Sequence, residues 1–137
     1  MATRRFSSIS IETTLASGIS SSATTMTVAS GTGAALIQGS SFVNGDQFYV
    51  ALDPDTTSEE LVTITAVSSD TFTITRAQAG TSGVSHTGGA TVRHVLTGDD
   101  LTSFETTSLN AVTLTGTQTL SNKTLTAPKF ASGGYIA

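Results

Sequence analysis

The sequence predicts an all-β protein: a small antiparallel β-sandwich or barrel with an N-terminal arm and an extended C-terminal neck. Three observations point there. Leu61-Val62-Thr63-Ile64-Thr65-Ala66-Val67 is rich in β-branched residues, and Thr71-Phe72-Thr73-Ile74-Thr75 alternates so that Phe72 and Ile74 share one face. Ser68-Ser69-Asp70 between them supplies turn chemistry, which makes the pair a β-hairpin. Serine and threonine dominate the composition, with 13 glycines and no tryptophan, a mixture that suits strands and turns better than helices. Finally, Asn44-Gly45, a pair that accepts positive φ cheaply, favours a tight turn into Gln47-Phe48-Tyr49-Val50-Ala51-Leu52.

The 137 residues divide into an arm (1–10), a compact β domain (11–97), and a short helix followed by a Thr-rich neck (98–137). In the arm, Arg4-Arg5 is the one local positive charge. The arm reads either as a frayed terminus or as a basic segment that docks on an acidic neighbour. Phe6-Ser7-Ser8-Ile9-Ser10 is no apolar export core, so the two arginines do not mark a signal peptide. Ile11 to Ser22 is small and polar, with Leu15 and Ile19 as possible anchors. Thr25-Met26-Thr27-Val28 alternates as a strand with Met26 and Val28 inward, and Gly31-Thr32-Gly33 breaks it. Ala34-Ala35-Leu36-Ile37 is too short to assign. Phe48, Val50 and Leu52 share a face, and Asp53 to Ser58 forms a surface turn around Pro54. After the hairpin comes a glycine-rich loop, Ala77 to Gly89, and then a strand to Leu96. Thr97 fits the N-cap of a short helix with Asp99 and Asp100 at its positive end and Leu101 and Phe104 facing inward. From Glu105 onward the apolar residues lose helical spacing, which predicts extended chain unable to bury them without another chain or copies of itself. The run Gly133-Gly134-Tyr135-Ile136-Ala137 reads as the neck of something longer.

Charge and composition narrow the function. The net charge is −4 and only 12% of residues are charged, the two lysines being Lys123 and Lys129. Nucleic-acid binding needs clustered cations, so none is expected. Without cysteine there is no disulfide framework and no thiolate chemistry. No apolar run approaches the roughly 18 residues of a membrane-spanning helix. The apolar share of 37% implies a small core, and such domains gain stability by association.

Candidate chemistry is sparse. Asp53, Asp55, Glu59 and Glu60 form the densest acidic group, but they lack the order of a calcium loop and read as a solvated turn. Adjacent on a strand, Glu59 and Glu60 face opposite sides and cannot act as a catalytic pair. His86 and His94 have no further ligands at zinc spacing, and no Gly-x-Ser-x-Gly elbow marks a nucleophile. No catalytic residue, metal or cofactor is therefore expected. Arg76, Gly80, His86 and Gly89 are the candidates for bracing the loop. Arg76 would satisfy loop carbonyls or pair with Glu59 or Glu60, and His86 would cap the loop through its ring. The glycines invite a phosphate-cradle reading, but with no Gly-Lys-Ser/Thr and no helix following the signal is weak. Asn122-Lys123-Thr124 matches a glycosylation sequon of little weight.

Two stretches resemble a known group. Thr75-Arg76-Ala77-Gln78-Ala79-Gly80-Thr81, followed by His86, Gly89-Ala90-Thr91-Val92 and Leu96 to Leu101, is similar to the end of a small β domain near the start of bacteriophage tail- and head-fibre proteins. Ala77 stands where glycine is usual. Leu114-Thr115-Gly116-Thr117-Gln118-Thr119-Leu120-Ser121-Asn122-Lys123-Thr124-Leu125-Thr126-Ala127-Pro128 resembles a segment that leads, in phage fibres, from a docking domain into a trimeric shaft. Together they cover roughly residues 11 to 130. The resemblance implies a non-enzymatic virion protein, assembled in the bacterial cytoplasm, whose β domain attaches a projecting homotrimeric fibre to capsid or tail. Leu114, Leu120 and Leu125 would then meet around the threefold axis. The alternatives are a decoration protein that cements capsomers and, behind it, a host-glycan-binding module using Phe42, Tyr49 or Tyr135.

Overall fold

The structure, a computed structural model, describes residues 3–6, 11–37, 42–43 and 45–109. Its elements are β1 (Thr3–Arg4), β2 (Glu12–Thr14), β3 (Thr25–Thr27), α1 (Gly33–Leu36), β4 (Asp46–Leu52), β5 (Glu60–Ser68), β6 (Thr71–Gln78), β7 (Thr91–His94) and α2 (Gly98–Leu109). The strands form one sheet in the order β2-β7-β4-β5-β6-β3, antiparallel throughout, with β1 added in parallel to the start of β4. The protein is therefore mostly β, as its alternating segments predict.

This is a single curled sheet, a half-barrel, rather than two stacked sheets. Strand twist and two register shifts in β5, between Leu61 and Thr63 and between Ile64 and Ala66, bend it. The bend brings the outer strands together at a Leu15–Val28 bridge. There Ala16 N–H donates to Thr27 O at 2.9 Å and Ala29 N–H to Thr14 O at 2.8 Å. The concave face holds the core: Leu15, Met26, Val28, Phe48, Val50, Leu52, Val62, Ile64, Phe72, Ile74 and Val92 are all buried. Each strand's inward set follows its alternation, and Leu36 of α1 closes one end.

The hairpin turn also anchors α1. Asp70 accepts from the Gly31 and Gly33 amides, both at 2.9 Å. A Cβ on Gly33 would collide with the Ser69 carbonyl and come within 2.9 Å of the Asp70 Cα, so only glycine fits this approach.

Four expectations change. The arm is part of the sheet: Thr3 and Arg4 pair with Asp46 and Gln47, and the acidic neighbours of Arg4 and Arg5 are this chain's own Asp100 and Asp46. β2 lies within the segment read only as small and polar, where Thr13 and Leu15 point inward between exposed neighbours. α2 runs to Leu109, so Glu105–Leu109 is helical and not extended. Leu101 and Phe104 face outward, 58% and 71% exposed, because Asp100 takes the inward position, 3% exposed. Residues 110–137, including Leu114, Leu120 and Leu125, lie outside the described residues, as does the stacking candidate Tyr135.

Candidate functional site

The densest polar cluster lies beneath the Ala77–Gly89 loop, and strand alternation builds it. On β5 the inward set Val62 and Ile64 extends back to Glu60, and on β6 Phe72 and Ile74 extend on to Arg76. The two neighbouring strands thus aim a carboxylate and a guanidinium at the same end of the core. Glu60 is fully buried, so it does not belong to the solvated turn that its acidic neighbours form. Arg76 meets it in a fork, Nε to Oε1 at 2.8 Å and Nη2 to Oε2 at 2.6 Å. The backbone amides of Ala77 (2.9 Å) and Val84 (3.0 Å) donate to the same carboxylate. Burial pushes the Glu60 carboxyl up, but the bonds from Arg76, Val84, Ala77 and His86 outweigh it and hold it down to about 2.

Arg76 has both kinds of partner that its position suggests. Besides Glu60, it donates from Nη1 to Ser20 O at 2.6 Å and from Nη2 to Val84 O at 2.5 Å, tying two loops to β6. His86 is 3% exposed, with Nδ1 2.8 Å from Asp53 Oδ2 and Nε2 3.2 Å from Glu60 Oε2. Its backbone pairs with Ile19 in both directions, at 2.9 and 3.0 Å. Gly80 and Gly89 stand at turns with φ of +82° and +88°, each with open space where a Cβ would lie, and the Gly89 amide donates to Leu15 O at 2.8 Å. The close approach belongs instead to Gly83, where a Cβ would lie 3.0 Å from the Ser21 carbonyl.

A second cluster holds the root of α2. Thr97 Oγ1 accepts the Asp100 amide at 3.3 Å while Asp100 Oδ2 accepts the Thr97 amide at 3.0 Å, a reciprocal cap. Arg4 lies 3.5 Å from Asp100 and stacks 4.8 Å above the Tyr49 ring, whose hydroxyl donates to Asp99 at 3.2 Å. His94, also buried, places Nδ1 3.0 Å from the Leu36 carbonyl. Burial pulls its pKa below the ordinary histidine value, against weaker opposing effects of Leu36 and Asp100. Beside α2, a shallow cleft of about 370 Å³ runs past Leu61, Arg93, Val95 and Leu96. Arg93 is engaged there by Glu12 at 2.8 Å and Asp55 at 3.2 Å.

In both buried clusters the polar groups face one another and the backbone. Among the described residues no group of three or more His, Asp or Glu side chains is arranged to hold a metal ion. Sequence reasoning paired Arg76 with Glu59 or Glu60 and gave His86 a bracing role. It missed Asp53 as the other partner of His86 and Glu60 as the hub. The signal for Glu60 was present, two residues before Val62 on the inward face. A scan against models of protein families matches none of them, and a search of curated proteins gives no match either.

Proposed function

We propose that this chain is a non-enzymatic structural protein of a bacteriophage virion, its β domain anchoring a projecting, trimeric head or tail fibre. The observation that supports the reading most is the way α2 leaves the domain. Its root is fixed by the Thr97–Asp100 cap and by Arg4, while Leu101 and Phe104 stand exposed immediately ahead of the Leu114–Pro128 segment. Apolar side chains on a firmly held helix favour association of copies over a free helix in water. The partners are then other virion proteins and two further copies of the chain, and Leu114, Leu120 and Leu125 are the expected trimer contacts.

Labelling tests the attachment. Antibodies against the β domain should mark a few fixed points, on the head or the tail, of phage particles carrying this protein. Labels on the order of hundreds, spread over the shell, would make it a capsid decoration protein instead. Light scattering on the whole purified chain should give a trimer. A chain that stays monomeric at high concentration and binds no particle would overturn the proposal.

A further inference from the structure

We infer that His86 is held in the folded protein as an imidazolium ion, and that this charge works beside Arg76 as a second clasp docking the Ala77–Gly89 loop on the sheet. The geometry of its two ring nitrogens carries the inference. Nδ1 faces Asp53 at 2.8 Å and Nε2 faces Glu60 at 3.2 Å, and both partners are carboxylates. An ionised carboxylate only accepts hydrogen bonds. A neutral imidazole has one N–H and one bare lone pair, so either tautomer sets that lone pair against a carboxylate oxygen. With the ring 3% exposed, water cannot take over the missing bond. Only the doubly protonated ring satisfies both contacts.

Charge balance points the same way. The groups converging here are Asp53 from the turn after β4, Glu60 at the start of β5 and Arg76 on β6, while the Ile19 segment brings only backbone. Two carboxylates, Glu60 fully buried and Asp53 partly so, against one guanidinium leave one negative charge uncompensated beside the buried ring, and an imidazolium cancels it. His94 is the counterexample within the same chain: its Nδ1 faces a carbonyl, and burial favours its neutral form. The chain's two histidines are thus held in opposite charge states. This inference holds whatever the domain docks against.

Long-range ¹H–¹⁵N spectra of the intact chain at about pH 7 test it directly. Both ring nitrogens of His86 should resonate as protonated nitrogens, while His94 shows one protonated and one bare. A bare nitrogen on His86 would overturn the inference. Hydrogen exchange gives a second reading. At about pH 7 the loop amides should be protected in the unmodified chain and lose roughly tenfold or more of that protection in His86→Gln, while β5 and β6 keep theirs. Loop protection that is the same in both chains would count against the clasp.

Discussion

Residue 77 shows what one backbone angle costs a side chain. Ala77 adopts φ +55°, in the left-handed region that favours glycine. A left-handed conformation costs an alanine about 1–2 kcal/mol. It is retained because the Ala77 amide donates to buried Glu60, which fixes where the chain turns off β6. Ala77→Gly removes the steric cost and keeps the amide, while the freer unfolded chain takes back about 0.4–1 kcal/mol. The net expectation is a gain of about 0.5–1 kcal/mol in urea denaturation at unchanged slope. An unchanged or lower midpoint would mean that the turn carries no strain. At this scale the sequence was half legible. Arg76 and Glu60 could be placed by counting along the strands, but Glu60 was hidden in an acidic run whose other members do form a turn. Asp53 had no period to betray it, because its position depends on a turn at φ +46° and not on a strand.

Among the elements, the hairpin and β4 were the most legible, because alternation and turn chemistry are local and agree. β2 was not, since three residues give too short a pattern and its partner β7 pairs across some 80 positions, Glu12 with Arg93. α2 was recognised by its cap but turned the wrong way. Its apolar spacing suggested an inward face, whereas the cap itself draws Asp100 inward and swings Leu101 and Phe104 out. The two orientations give different energetics. Inward-packed side chains of this size would cost about 2–5 kcal/mol each on truncation. As exposed residues, Leu101→Ser and Phe104→Ser should change the unfolding free energy of the β domain by no more than about 0.5 kcal/mol. Denaturation followed by the Tyr49 signal checks this, because that ring sits at the root of α2. Losses of several kcal/mol would return the pair to a packed face. A shift in association state with unchanged domain stability is what the fibre reading requires.

The molecule as a whole couples its fold to pH through groups scattered over the curled sheet, and their signs agree on the acid side. Asp46 is held below the usual carboxylate value by the Val43 amide and Arg5, and Asp70 by the Gly31 and Gly33 amides. Glu60 is lowered furthest, to about 2 from 4.5, despite its burial. A group whose pKa is lower in the folded state stabilises the fold fully above its unfolded value and loses that contribution as pH falls through the folded one. For Glu60 the gap amounts to about 3 kcal/mol, lost between about pH 4.5 and pH 2. His94 obeys the same sign higher up: it folds neutral, so below its unfolded value of 6.5 the fold must either charge a buried ring or open. Urea midpoints should therefore decline gently from about pH 6 to about pH 5, and steeply below about pH 4 as Glu60, Asp46 and Asp70 protonate together. Arg76→Met sharpens the test: it removes the strongest bond holding Glu60 ionised, so the steep limb should move to higher pH while the gentle one stays. A midpoint that rises on acidification to about pH 3 would contradict the buried ionised carboxylate, and with it the view that one end of this core is built around charge.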